Sequence, residues 1–344
     1  MPDEHSPTSL RVNRAVTIYD VAEHAGVSIA TVSHALNKPS RVAPATLERV
    51  LAVIDELGFT PKAMAVSRAR KGVGRIGVIA PFTSYDSFRV RLLGVLAACA
   101  NEPMEVVVYD HESVAEATSP LLGSLPATGR LDGLLIMGIP LQDSMAARLQ
   151  QRQLPTVLVD SFHPELTSVN VDDERGGRLI AEHLLSRGHR TFAYVSERQQ
   201  SLRFVSPAQR RIKGFTSAIT DAGLDPSAVR HIIATHDVAG GRAAAAELLG
   251  HDTRPDAVVA HFDDIAAGLL LGFHTVGLRT PDDVAVVGYD DGSLAQALDL
   301  TTVRQPLIET GRAGAEFLLE AISATKPRVQ QLLLSPELVV RATA

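Results

Sequence analysis

Ile29, Ala30, Ser33 and His34 lie one and four residues apart in the stretch SIATVSHALN, so a helix drawn through them carries all four on one face. Their chemistry is that of reading base edges. Ile29 and Ala30 offer apolar contact to a thymine methyl, Ser33 can donate or accept, and His34 can do either at a purine edge. Around them Ser28, Thr31, Asn37, Lys38 and Arg41 are small polar or cationic groups suited to phosphate, which fixes register without reading sequence.

A second set of groups stands at the ends of apolar runs. Asp160 closes PTVLVD, Asp290 closes VAVVGYD, and Arg211 lies in RRIKGF. Two carboxylates and a guanidinium can hold several sugar hydroxyls through charged or bidentate hydrogen bonds. Other chemistries find no support. There is no dinucleotide or phosphate-binding glycine loop after a strand, no G-x-S-x-G elbow, and the twelve histidines show no metal-ligand spacing, so no enzyme, cofactor or metal is expected.

The elements that must position the first set are short helices. Thr17 followed by Asp20 is a variant capping box for a helix over residues 18–25, which Gly26 can end with positive φ. Ser28 caps a second helix over 29–36. Ala22 lets the two approach, and Val27 and Val32 close the core between them. In ATLERVLAVIDELGF, Leu47, Val50, Ile54 and Leu57 recur at helical spacing, giving a third helix with Pro44 in its first turn. Two steeply crossed short helices leave the outer side of the second free to enter a major groove.

After Arg75 the pattern changes. RIGVIAP, MEVVVYD, LDGLLIMG, PTVLVD, TFAYVS, DAVVAHF and VAVVGYD are short, nearly continuous apolar runs that alternate with helical stretches. Such strands are buried on both faces, which predicts parallel sheets covered by helices, and this many units fit two open lobes. Small ligands bind where the carboxyl ends of such strands face a cleft. Ser84, Tyr85 and Phe88, just past the first run, are expected to line one side of that cleft. Phe262 brings an aromatic face suited to stacking on a pyranose.

Charge divides as the pattern does. The 344 residues carry a net charge of -6, yet residues 11–75 hold ten Lys or Arg against five Asp or Glu. The segment 61–75 has five basic residues and no acidic one, so it reads as positive charge laid against phosphate or minor groove. The single cysteine, Cys99, excludes an intrachain disulfide and fits a reducing compartment. Residues 1–15 read as a disordered leader without an export signal, and a cytoplasmic location is expected.

The run TIYDVAEHAGVSIATVSHALN resembles the headpiece of the lactose-repressor (LacI/GalR) family of bacterial transcriptional regulators. The likeness continues through RLDGLLIMG, VNVDDERGGRLIAEHLLSRGHR, RRIKGF, GLRTPDDVAVVGYDD and LTTVRQP, in the family's order. The resemblance implies a helix-turn-helix headpiece over residues 16–60 and a hinge over 61–75. It also implies a two-lobed α/β periplasmic-binding-protein-like domain over 76–344. That domain divides into an N-lobe of about 76–172 and 305–323 and a C-lobe of about 173–304 and 324–344.

The resemblance further implies a homodimer on pseudo-palindromic double-stranded operator DNA, and a small-molecule effector, a sugar inducer or alternatively a nucleobase corepressor. It places effector contacts at Asp160, Arg211 and Asp290. Where the family often has an effector-contacting Asn, this chain has Phe262. In the hinge, Lys62 and Arg68 replace the family's Asn and its minor-groove Leu, so either Arg68 enters the groove electrostatically or Met64 or Val66 supplies the wedge. His34 agrees with the purine-repressor branch and departs from the lactose repressor's Arg. A third reading is an intracellular sugar binder whose headpiece has lost DNA affinity.

Overall fold

The computed structural model describes residues 16–59, 73–111, 120–198 and 206–344. They fall into two compact units, one holding residues 16–59, 73–74 and 120–132, the other the remaining described residues.

The first unit begins with α1 (Ile18–Ala25), α2 (Ile29–Asn37) and α3 (Pro44–Glu56). Local chemistry sets their ends. The Thr17 backbone N–H and hydroxyl both donate to Asp20, at 2.7 and 2.6 Å, and Ser28 Oγ accepts the backbone N–H of Thr31 at 3.1 Å. Gly26 ends α1 at φ 63° with nothing near the position a Cβ would take. Gly26→Ala is therefore expected to cost about 1 kcal/mol of headpiece stability through backbone strain alone. Thermal unfolding of the full chain reads this, and an unchanged headpiece transition would contradict it.

Val21, Ala22, Val32, Ala35, Val50 and Ile54 form the small core. The sequence reading assigned everything after residue 75 to one effector domain. The structure instead packs the helix Pro120–Thr128, which lies between the second and third strands, with the headpiece, because Ala127 joins this core.

The second unit holds two six-stranded sheets. The first contains β1 (Gly74–Ala80), β2 (Met104–Asp110), β3 (Gly133–Met137), β4 (Thr156–Val159), β5 (Thr167–Val171) and β11 (Gln331–Leu334), in the order β11-β5-β4-β3-β1-β2. The second contains β6 (Phe192–Ser196), β7 (Arg230–Ile233), β8 (Ala257–Ala260), β9 (Ala285–Asp290), β10 (Thr302–Arg304) and β12 (Glu337–Val339), in the order β12-β10-β9-β8-β6-β7. The pairs with a defined register are parallel except β10 with β12.

Helices Asp86–Cys99 and Leu307–Ser323 pack together beside the first sheet, and Asp173–Ser186 pairs with Pro207–Asp221 on the second. Cys99 is buried in the first core. The chain crosses between sheets after β5, after β10 and between β11 and β12. This corrects the assignment of residues 324–344 to the C-lobe. Gln331–Leu334 pairs in parallel with Ser168–Val171, and Leu332 and Leu334 pack on the first core, so the chain revisits the first sheet before its last crossing. No helix among the described residues is long and apolar enough to cross a membrane.

Candidate functional sites

On α2 the buried residues Val32, Ala35 and Leu36 face the core, which leaves Ile29, Ala30 and His34 exposed and Ser33 half-buried. Ile29 is 41% exposed, so its side chain is open to contact from outside. The four base-reading candidates thus share one outward stripe. Of the phosphate candidates, Ser28, Asn37, Lys38 and Arg41 are exposed and Thr31 is half-buried. Ser28 Oγ and Thr31 Oγ1 lie 2.9 Å apart. Asn37 has a further task, since its Nδ2 donates to the Ser33 carbonyl at 2.8 Å and its Oδ1 accepts from Arg130 Nη2 at 2.6 Å. Lys62, Met64 and Arg68 lie outside the described residues.

In the second unit the expected cleft groups follow the carboxyl ends of strands, except Arg211, which lies within the helix Pro207–Asp221. A cavity of about 280 Å³ is lined by Ser84, Tyr85, Asp86 and Ser87 after β1, His236 and Asp237 after β7, Phe262 and Asp264 after β8, and Asp290 at the end of β9. Ser84, Tyr85, Phe262 and Asp290 were expected there. Their rings define its walls, with Tyr85 5.7 Å from Phe262 and 4.6 Å from His236, centroid to centroid. The Tyr85 hydroxyl donates to Glu197 at 2.8 Å, a contact made across the two lobes.

The other three candidates sit behind this wall. Phe88 is buried, its ring set edge-on to Tyr85 at 6.1 Å and filling the space a side chain at Gly138 would need. Asp160 is buried and paired with the buried Arg91 at 3.3 Å, and Arg91 also reaches Gln305 at 3.4 Å. Among the described residues Asp160 Oδ1 and Arg91 Nε have no hydrogen-bond partner, a buried acceptor and donor close together. Gln305 Nε2 in turn donates to Asp290 Oδ1 at 2.5 Å.

Arg211 is 2% exposed. Its Nε donates to Asp173 at 2.8 Å, its Nη1 to the His261 carbonyl at 3.1 Å, and its guanidinium lies 3.6 Å from the centroid of the Tyr289 ring. Gly177 makes this possible, because a Cβ there would run into the Arg211 carbonyl. His261 is held well below its ordinary range by burial and by Arg211, so it is a neutral partner.

Burial governs the carboxylates. It pushes Asp290 up to about 6, against the pull of Arg211 and the hydrogen bond from Gln305. It pushes Asp263 up to about 8, helped by the charge of Asp290, while Thr302 Oγ1 and the Gly292 N–H donate to its two oxygens at 2.6 and 2.8 Å. Glu197 and Asp264 are raised by burial as well. Asp160, Asp290 and Asp291 all hold positive φ, at 56°, 116° and 59°, a conformation uncommon for residues with side chains and one that Asp adopts more readily than most.

A helix-turn-helix unit whose second helix has an exposed outer face, joined to a two-lobed α/β unit with a polar cleft at its strand ends, defines a ligand-responsive DNA-binding protein. Comparison with known proteins agrees. Residues 17–62 match the model of bacterial regulatory proteins of the lacI family, and residues 181–344 match the periplasmic binding protein-like domain. The chain is 32% identical over 331 residues to the HTH-type transcriptional repressor PurR of Photobacterium profundum, covering 94% of this chain and 97% of that protein.

Among solved structures it resembles the transcriptional regulator CelR-cellobiose complex, with a TM-score of 0.69, 28% identity, and coverage of 96% of this chain and 100% of the other. It also resembles the Lac repressor dimer bound to operator and the anti-inducer ONPF, with a TM-score of 0.67, 27% identity, and coverage of 96% and 99%. The chain belongs to the lacI family of bacterial regulatory proteins. It is a sequence-specific DNA-binding transcriptional regulator.

Proposed function

We propose that the chain is a homodimeric repressor released from its operator when a small sugar occupies the cleft, with Ile29, Ala30, Ser33 and His34 reading bases. The observation that carries the sugar reading is the cavity itself. Aromatic faces of Tyr85 and Phe262 stand beside the carboxylates of Asp86, Asp237, Asp264 and Asp290, so apolar ring faces and several hydroxyl acceptors converge. A cavity of about 280 Å³ has room for a small polar ligand such as a monosaccharide. The CelR-cellobiose complex supports a sugar ligand. The likeness to PurR supports a nucleobase corepressor as the second reading. The Lac repressor dimer on its operator supports the dimer, as do the exposed Leu93, Leu96 and Val108.

Calorimetry with a panel of pentoses, hexoses, cellobiose and purine bases separates the readings. A monosaccharide is expected to bind and to weaken DNA binding. A purine base that binds alone and tightens DNA binding would overturn the sugar reading.

The same titration carries a pH prediction. Above about pH 6 Asp290 is a carboxylate and accepts sugar hydroxyls, whereas below it the group is protonated and loses an acceptor. Sugar affinity is therefore expected to hold from pH 8 to 7 and to fall roughly tenfold by pH 5. Asp290→Asn should flatten that profile, and a wild-type profile already flat from pH 8 to 5 would remove Asp290 from the site.

A further inference from the structure

The helix Pro120–Thr128 belongs by sequence to the α/β body, yet it lies against α2, α3 and the turn Pro39–Arg41. Two residues past its end, the exposed Arg130 donates from Nη2 to Asn37 Oδ1 at 2.6 Å. Asn37 continues the stripe of Ile29 and Ser33, each four residues from the last, so Arg130 reaches the C-terminal end of the face that reads DNA.

The amide of Asn37 is turned back along its own helix. Its Nδ2 donates to the Ser33 carbonyl at 2.8 Å and lies 3.4 Å from Ser33 Oγ, which commits its donor side to α2 itself. A phosphate needs N–H donors. A guanidinium carries five, and the bond to Asn37 uses one of them. The location also calls for a cation, because the C-terminal end of a helix is the negative end of its dipole and disfavours an anion unless positive charge is supplied. Lys38 and Arg41, both exposed, stand at the same end of α2.

We propose that Arg130 makes a phosphate contact with operator DNA, taking the donor role that the sequence assigns to Asn37 and adding to the reading surface from outside the helix-turn-helix sequence. The inference rests on the DNA-binding reading of α2. Arg130 lies three residues before β3, so the contact comes from a segment inserted between two strands of the first sheet.

The test uses the full-length chain and a 30-base-pair duplex recovered by the wild-type protein from a random-sequence pool. Affinity is measured by fluorescence anisotropy across a salt series for wild type, Arg130→Gln and Arg130→Lys. Loss of one phosphate contact lowers affinity about five- to tenfold near 0.1 M salt and reduces the slope of log affinity against log salt by about 0.9. Arg130→Gln can still donate to Asn37, so it should show both changes, on the recovered duplex and on a scrambled one alike. Arg130→Lys should keep the wild-type slope.

An Arg130→Gln protein with wild-type affinity and slope would overturn the proposal. So would weaker binding at an unchanged slope, which would make Arg130 only a prop for Asn37, and so would tighter binding, which would make the contact inhibitory. A wild-type chain that recovers no duplex would instead remove the regulator reading itself, and the inference with it.

Discussion

Arg211→Ala is expected to destabilise the α/β unit by about 3 kcal/mol, the lower end of the range for removing one partner of a buried ion pair. The side chain of Asp173 is fully buried between Arg210 and Arg211, at 2.8 Å from each. Removing Arg211 leaves the Arg210 contact in place but strands the oxygen that Arg211 held, and it also removes the cation from the face of Tyr289. In a unit of this size the melting midpoint should drop by roughly 6–12 °C. Arg211→Lys restores charge without the planar fork and should recover only part of that.

The sequence reading put Arg211 among the effector contacts, whereas the structure sets it behind the cavity wall. Any loss of effector response in Arg211→Ala should therefore accompany lost stability, while Asp290→Asn, which keeps an acceptor for Gln305 and tolerates positive φ, should weaken the response and keep its midpoint within about 2 °C. An Arg211→Ala protein with the wild-type midpoint and no effector binding would restore Arg211 to the cavity.

His34→Ala should act on sequence reading alone. The side chain is exposed on the outward stripe of α2 and takes no part in the headpiece core, so folding should not change. A side chain that pairs with a base edge is worth about 1–3 kcal/mol of discrimination, roughly 5- to 150-fold in the preference for one base pair in each half-site. Binding to a scrambled duplex should stay at the wild-type level, because no phosphate contact is removed. Selecting duplexes from a random pool with the variant reads the outcome directly, as one position per half-site that accepts any base. Equal loss on recovered and scrambled duplexes would show that His34 touches the backbone and reads nothing.

The headpiece was legible because its boundaries are written locally. Thr17 with Asp20, Gly26 at positive φ and Ser28 beneath Thr31 each act within three residues of one another. The central strands were legible as apolar runs. The strands Thr167–Val171, Arg230–Ile233, Thr302–Arg304, Gln331–Leu334 and Glu337–Val339 were not predicted as strands, since most are short and the outer ones expose alternate residues, so their apolar content is diluted.

At the cleft, Ser84, Tyr85, Phe262 and Asp290 were found because each follows a readable strand. His236, Asp237 and Glu197 were missed: the first two follow the unread strand β7, and the bond from Tyr85 to Glu197 spans 112 residues. Whether a charge ends in the cavity or in a buried pair depends on partners far along the chain. Asp160 meets Arg91 across 69 residues, and Arg211 meets Asp173 across 38. The placement of residues 120–132 with the headpiece is tertiary in the same way, since nothing in PLLGSLPAT distinguishes a helix packed on one unit from a helix packed on the other.

The central claim is that the outward stripe of α2 reads DNA sequence. Its most direct measurement is the affinity of the full-length chain for the duplex it recovers from a random pool, against a scrambled duplex of equal composition, at a fixed salt concentration. The account predicts a ratio of at least about 10³ in favour of the recovered duplex. Equal affinities for the two would contradict it.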